Sequence, residues 1–252
     1  NIYPKTVIEP GEAVLEVENL CADHVDNVSF TVRKGEVVGL FGLMGAGRTE
    51  IVETIFGKNR RYSGQVKVNG QALEIDTPRD AINAGIAYIP RERKDDGLVM
   101  TETVKNNMTL VYLDKLMKCG KLDLKEERSI VDGWVKRLKV KTPSTATPIE
   151  SLSGGNQQKV IVGKWMMMNP KVIILNEPTR GIDVAAKREI YYLINELCME
   201  GMAVLIISSE TPEIMGISDR IVVHEGKITG ECARGAFDQE KIMCYAIGED
   251  TL

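Results

Sequence analysis

The stretch "GLMGAGRT", residues Gly42–Thr49, decides how the rest of the chain is read. It fits the phosphate-loop template G-x-x-x-x-G-K-[ST] at every fixed position but one, where Arg48 stands in place of lysine. Gly42, Gly45 and Gly47 let a backbone turn sharply and aim its N–H groups inward at phosphate oxygens. A helix opening near Gly47 adds its positive end, and Thr49 supplies a hydroxyl of the kind that meets Mg²⁺. Arg48 keeps the charge but is bulkier and planar where lysine is a point charge, so nucleotide binding should survive better than transition-state geometry. An ordinary glycine-rich strand-to-helix turn would use the same residues, so the context has to choose.

The context is that of a phosphate loop. "AVLEVENL" (residues 13–20) and "VDNVSFTV" (25–32) alternate as half-buried strands do, and "VVGLFG" (37–42) is a short buried run leading into the loop. "TEIVETIFG" continues at helical spacing and stops at Gly57. "GQVKVNG" reads as a strand, and "TPRDAINAG" as a short helix with Thr77 as N-cap, Pro78 at its first position and Gly85 past its end. "IAYIP" is a strand, "RERKDDG" a charged loop, residues 101–139 mainly helical, and "KTPSTATP" a polar loop. Beyond it, "KVIIL" and "MAVLIISS" are buried strands around the helix "DVAAKREIYYLINELCMEG", and "DRIVVHEGKITGE" reads as a hairpin. Strands alternating with helices imply an α/β fold with a mostly parallel sheet covered on both faces, and the helix-rich middle reads as an insertion.

Two further stretches carry chemistry. In "VIILNEPTRGID" (172–183) a buried strand delivers polar residues at its C-terminal end, where nucleoside triphosphatases hold Mg²⁺ and position water. The usual Asp-Glu pair is here Asn176-Glu177. Asn176 can meet a metal-bound water without supplying charge, and Glu177 stands where a general base polarises the attacking water. In "LSGGNQQ" (152–158), Ser153, Gly154 and Gly155 precede a helix and present N–H groups and a hydroxyl to an anion, although a plain N-cap followed by flexible glycines reads the same way. Three such motifs in this order and context exceed coincidence.

The ordered set resembles the ATP-binding-cassette family from about Val14 to Ile228. "GLMGAGRTE", "SLSGGNQQKV", "EPTRGIDV" and "SSETPEIMGISDRI" are similar to the C-terminal cassette of monosaccharide importers of the ribose, galactoside and xylose type. The resemblance implies a P-loop NTPase fold with a mostly parallel sheet core, an N-terminal antiparallel β region and an inserted helical subdomain. It divides the chain into a linker from a preceding cassette (1–12) and a nucleotide-binding domain (13–252). Within that domain the core covers about 13–90 and 166–232, the helical subdomain about 91–165 and a tail 233–252.

It implies ATP and Mg²⁺ as ligands. Gly42, Gly45, Ala46, Gly47, Arg48, Thr49 and Glu50 would bind nucleotide, Thr49 and Asn176 the metal, and Glu177 would be catalytic. Ser153, Gly154, Gly155 and Gln157 would close over nucleotide held by a second, N-terminal cassette of the same polypeptide. Further partners implied are membrane permease subunits, met by the helical middle near Met100, and indirectly a sugar-binding protein. The implied location is peripheral, on the cytoplasmic face of the membrane. The sequence departs from the family at the switch histidine, which falls on Ser209, at the lid glutamine, near Arg91, and at the adenine-stacking aromatic, for which His24 is the nearest candidate. Four weakened catalytic positions beside an intact "LSGG" imply a degenerate own site and a signature that serves the partner. The alternative is a nucleotide-binding regulatory module that does not hydrolyse. A soluble translation or repair ATPase fits less well, because long insertions and basic arms are missing.

Composition sets outer limits. Among 252 residues, 43% are hydrophobic and 27% charged, as in an ordinary globular protein, and a net charge of −4 argues against a nucleic-acid surface. Five cysteines without CxxC spacing suggest a reducing compartment, and two distant histidines no metal site. No apolar run is long enough to span a bilayer. The start, "NIYPKTVIEPGEAVLEV", has neither a basic segment nor an apolar core, and reads as a linker cut from a longer chain rather than a signal peptide.

Overall fold

The computed structural model describes residues 3–248. The chain folds into two compact units. The first contains the described residues up to Tyr88, Pro170–Glu177 and those from Ile194 onward; the second contains Ile89–Asn169 and Pro178–Leu193.

The first unit holds two sheets. Strands β1 (Ala13–Ala22), β2 (Val25–Arg33), β4 (Ser63–Val68) and β5 (Gln71–Leu73) form an antiparallel sheet in the order β2-β1-β4-β5. The larger sheet combines β3 (Val37–Phe41), β6 (Ile86–Ile89), β9 (Val172–Asn176), β10 (Ala203–Ile207), β11 (Arg220–Glu225) and β12 (Lys227–Ala233) in the order β12-β11-β3-β10-β9-β6. Pairs β11-β3, β3-β10 and β10-β9 are parallel, and β11-β12 is an antiparallel hairpin. Every residue of β3, β9 and β10 is buried, which explains why these strands read as continuous apolar runs.

Helices α1 (Arg48–Ile55), α2 (Pro78–Asn83), α8 (Thr211–Ile217) and α9 (Gln239–Ala246) belong to this unit. In α2 the Thr77 cap and Asp80 form a capping box, with Pro78 in the first turn and Gly85 at φ 89°, as the sequence expects. The sequence marks the residues after β12 only as a tail; they instead form α9, which packs Ile242 and Ala246 into an apolar cluster with Phe41, Ile214 and Val223.

The second unit contains α3 (Val104–Thr109), α4 (Leu113–Leu116), the small hairpin β7 (Met117–Lys118) and β8 (Lys121–Leu122), α5 (Leu124–Arg137) and α6 (Gly154–Met166). Helix α7 (Val184–Met199) runs through residues of both units. The hairpin interrupts a stretch expected as mainly helical, because Cys119 and Gly120 both adopt positive φ and reverse the chain. The expected charged loop contains one π-helical turn, Arg93–Gly97. No helix among the described residues is long and apolar enough to cross a membrane.

Candidate nucleotide site

The first unit brings three chain segments to one sheet edge. Strand register sets Leu40 beside Ile207 and Ile207 beside Asn176, so β3, β10 and β9 end at the same level. The loop Gly42–Gly47, the pair Asn176-Glu177 and Ser208–Ser209 all leave from there. This is the carboxyl edge of a parallel sheet, where α/β folds bind their ligands.

The loop needs its glycines for different reasons. Gly45 has φ 86° and open space around a would-be Cβ, so only backbone conformation requires glycine there. Gly47 has φ 96°, and a Cβ on it would stand 2.3 Å from the His24 carbonyl oxygen. Gly42 has no positive φ; its Cβ would lie 2.2 Å from the His224 carbonyl oxygen. The Ala46 amide turns back to the Leu43 carbonyl at 3.1 Å, and Gly47 caps α1, whose first turn carries Arg48, Thr49 and Glu50. A backbone held this tightly, opening a helix N-terminus, fits a phosphate group.

The polar groups meet within hydrogen-bond reach. Asn176, 1% exposed, directs its Nδ2 to Thr49 Oγ1 at 3.5 Å and to the Tyr88 hydroxyl at 3.2 Å. Its Oδ1 is buried and without a hydrogen-bond partner, a cost that a bound water or metal hydrate would remove. Thr49 Oγ1 is an oxygen of the kind Mg²⁺ prefers, whereas Asn176 turns its Nδ2 towards that hydroxyl and would meet a metal-bound water through Oδ1 only with its amide turned over. Glu177 has φ 51°, a left-handed backbone that is costly for a non-glycine residue, and its amide donates to the Ile207 carbonyl at 2.9 Å. Ser209 Oγ donates to Glu177 Oε2 at 3.3 Å, so the serine at the switch position does touch the carboxylate. Arg48 Nη1 donates to the Ser208 carbonyl at 3.0 Å, tying loop to switch segment.

Three residues near this site gave no signal in the sequence. Tyr88 reaches Asn176 only because β6 and β9 are neighbours in the sheet. Tyr62 is exposed and hydrogen-bonds Asp23 at 2.5 Å, beside His24, which is itself exposed with its carbonyl against Gly47. His224 is fully buried beneath the loop, and burial pushes its pKa down to about 4 against the weaker opposing pull of the Gly226 and Ala46 backbone. The unfolded chain therefore binds the proton more readily than the folded one, and stability should fall as pH drops from about 6.5 towards 4. In His224→Leu that part of the acid sensitivity should disappear from urea midpoints measured across this range; an unchanged slope would contradict the assignment.

In the second unit Ser153 is the exposed N-cap of α6, and its Oγ accepts from Asn156 at 2.9 Å. A Cβ on Gly155 would stand 2.5 Å from Ala186 Cβ, so close packing explains that glycine. Gln157 is different from the expectation. It is 4% exposed, its amide donates to the Ile149 and Leu152 carbonyls at 3.2 and 3.1 Å, and its Oε1 accepts from Arg93. Both its N–H donors are spent inside the unit, which makes it a brace for the turn rather than a free donor. Arg91 is exposed, with Glu92 3.8 Å away.

A family model described as ABC transporter matches residues 25–180, more than half of the chain, and the chain belongs to that family, the ABC ATPases. Among curated relatives it is 50% identical over 249 residues to the ribose import ATP-binding protein RbsA of Caldanaerobacter subterraneus subsp. tengcongensis, covering 98% of this chain and 50% of the relative. It is 49% identical over 247 residues to the protein of the same name from Streptococcus agalactiae serotype V, with the same coverage. The chain thus spans about half the length of the curated relatives it matches. In fold it is similar to a nucleotide-free ATP-binding cassette from an ABC transporter, with TM-score 0.77 and 22% identity, over 94% of this chain and 100% of that one. A cassette in its ADP conformation matches with TM-score 0.74 and 22% identity, over 94% and 95% of the two chains.

Proposed function

We propose that the chain is one ATP-binding half of a sugar importer's motor, coupling ATP binding and hydrolysis to uptake of a monosaccharide of the ribose class. The observation that carries the reading is the meeting of Thr49, Asn176, Glu177, Ser209 and Arg48 at one sheet edge behind a glycine cradle. The loop amides and Arg48 would bind the phosphates of ATP, Thr49 and Asn176 would hold Mg²⁺, and Glu177 would orient the attacking water, held in place by Ser209. Bound Mg²⁺ would neutralise charge on the phosphates. Tyr62 and His24 would flank the adenine.

The own site is degenerate, and the relatives' double length supports a second cassette in the same polypeptide. The exposed Ser153 and the two glycines after it would then serve nucleotide held by that partner. The permease would dock on the helical unit, at a cleft of about 420 Å³ walled by Val99, Leu110, Leu113 and Leu122, with Glu102 and Lys105 at hand for polar contacts. Such docking would hold the chain at the cytoplasmic face of the membrane. The neutral Asn176 favours a second reading, a module that binds nucleotide and regulates without hydrolysis.

Single-turnover hydrolysis, measured on this chain and on the longer polypeptide, tests both. This chain alone should hydrolyse ATP near background. Ser153→Arg should reduce the activity of the longer polypeptide about a hundredfold, the scale of losing one transition-state donor, and leave nucleotide binding to this chain unchanged. Full activity of that variant would sink the proposal, and robust turnover by this chain alone would sink the degenerate site.

A further inference from the structure

The segment ahead of β1 is bound to the first unit by contacts that a passive linker does not need. Lys5 Nζ meets Asp219 Oδ2 at 2.6 Å, with the lysine side chain 2% exposed and the aspartate 11%. The same Oδ2 accepts the Val37 amide at 2.9 Å, and the Asp219 amide donates to the Val37 carbonyl at 2.8 Å, so this carboxylate stands at the start of β3 and β11. Asn195 grips the main chain of this N-terminal strap, residues 3–11, on both sides of Lys5. Its Nδ2 donates to the Pro4 carbonyl, and its Oδ1 accepts from the Thr6 amide at 3.2 Å. The Tyr3 ring lies against α8, where a Cβ on Gly216 would stand 2.4 Å from Tyr3 Cγ. A buried lysine tolerates its desolvation only while its partner is present, so the strap is held at a defined place.

Helix α8 joins this strap to the nucleotide site. Tyr3 packs on Gly216 near its C-terminal end, and Lys5 pairs with Asp219 two residues beyond that end. At its other end Ser208 hydrogen-bonds Glu213 and the Glu210 amide, and the adjoining Ser208–Ser209 pair meets Arg48 and Glu177. Helix α8 is fitted closely to the sheet: a Cβ on Gly39 of β3 would stand 2.5 Å from both Ile214 and Ser218. A short helix packed this tightly moves as a body, and a shift at one end reaches the other.

We propose that Lys5, aided by Tyr3, is a positioning residue of the nucleotide site. The strap seats α8, α8 places Ser208 and Ser209, and these two set Arg48 and Glu177 for a γ-phosphate. The inference rests on the nucleotide reading given under Proposed function. In that reading a cassette joined upstream acts on the switch segment by pulling Lys5 from Asp219.

The test uses the 252-residue chain and three variants. Lys5→Met removes the charge at similar length, Gly216→Ala evicts the Tyr3 ring from the other side, and Lys5→Arg keeps the ion pair. Two quantities are read: hydrogen exchange of amides 208–217, and the ratio of ATP to ADP affinity by calorimetry in Mg²⁺. Lys5→Met and Gly216→Ala should each speed that exchange about tenfold and cut the preference for ATP over ADP about fivefold, with ADP affinity nearly unchanged. Lys5→Arg should restore both. A purely structural strap would lose protection at residues 3–11 alone, or lower both affinities equally, and either result overturns the proposal. If the unaltered chain binds neither nucleotide, the nucleotide reading fails; the exchange measurement then decides whether the strap seats α8 at all.

Discussion

Replacing Gly47 with alanine should lower ATP affinity by about thirtyfold to several thousandfold, whereas the same change at Gly45, two residues away, should cost only about five- to thirtyfold. Both glycines have positive φ, so both variants carry backbone strain of about 1–2 kcal/mol. They differ in surroundings. The Cβ at 45 meets nothing within 4 Å, while the Cβ at 47 would stand 2.3 Å from a backbone carbonyl and 3.1 Å from the buried His224 ring. A carbonyl cannot rotate away as a flexible side chain can, so the loop itself must move, at about 1–3 kcal/mol more. Together these costs amount to about 2–5 kcal/mol, and the upper part of that range is hundreds- to thousands-fold in affinity. Calorimetric titration with ATP, alongside circular dichroism to check folding, separates the two variants. Equal losses would mean that conformation alone sets the glycine requirement, and that the contact with His24 is unimportant.

Placing a charge at position 176, the proposed metal position, should have the second largest effect. Asn176→Asp should strengthen Mg²⁺-dependent ATP binding about tenfold or more, and leave metal-free binding unchanged or weaker. The position is 1% exposed, so a carboxylate there is poorly solvated and raises its own pKa in the empty protein. The Tyr88 hydroxyl, 3.2 Å from the present amide, offers one hydrogen bond, too little to offset a buried charge. A divalent ion beside Thr49 would supply the missing compensation. The variant should therefore be less stable than the parent without Mg²⁺·ATP, by about 1–3 kcal/mol, and recover on adding it. Urea unfolding with and without Mg²⁺·ATP measures this, and an unchanged response to Mg²⁺ would place position 176 away from the metal.

The two predictions show how the site divides between what residue order specifies and what folding adds. Local chemistry was legible. The strand–loop–helix order around residues 42–49 follows from apolar run, glycines and helical spacing, and so does α2, whose cap, proline and terminal glycine each act within a few residues of one another. The buried central strands declared themselves as unbroken apolar runs, because both of their faces are covered. The small hairpin after α4 was not legible, since two-residue strands have no period to detect and its reversal depends on Cys119, a residue that rarely adopts positive φ.

The sequence by itself determined the motifs and their order, and marked Thr49, Asn176 and Glu177 as the candidates for the chemistry, because each depends on neighbours along the chain. Only the tertiary structure decided which of them touch. Strand order β3-β10-β9 lays Ser208–Ser209 between the loop and the Asn176-Glu177 pair, and β6 delivers Tyr88 from 88 residues away in sequence. The same holds for Gln157, which the motif offers to a ligand and the fold spends as a brace, and for Lys5, which reads as linker and is buried against Asp219. The physical reason is common to all of these. Periodicity and turn chemistry act over a few residues, whereas burial and hydrogen-bond pairing depend on which distant segments the sheet makes neighbours.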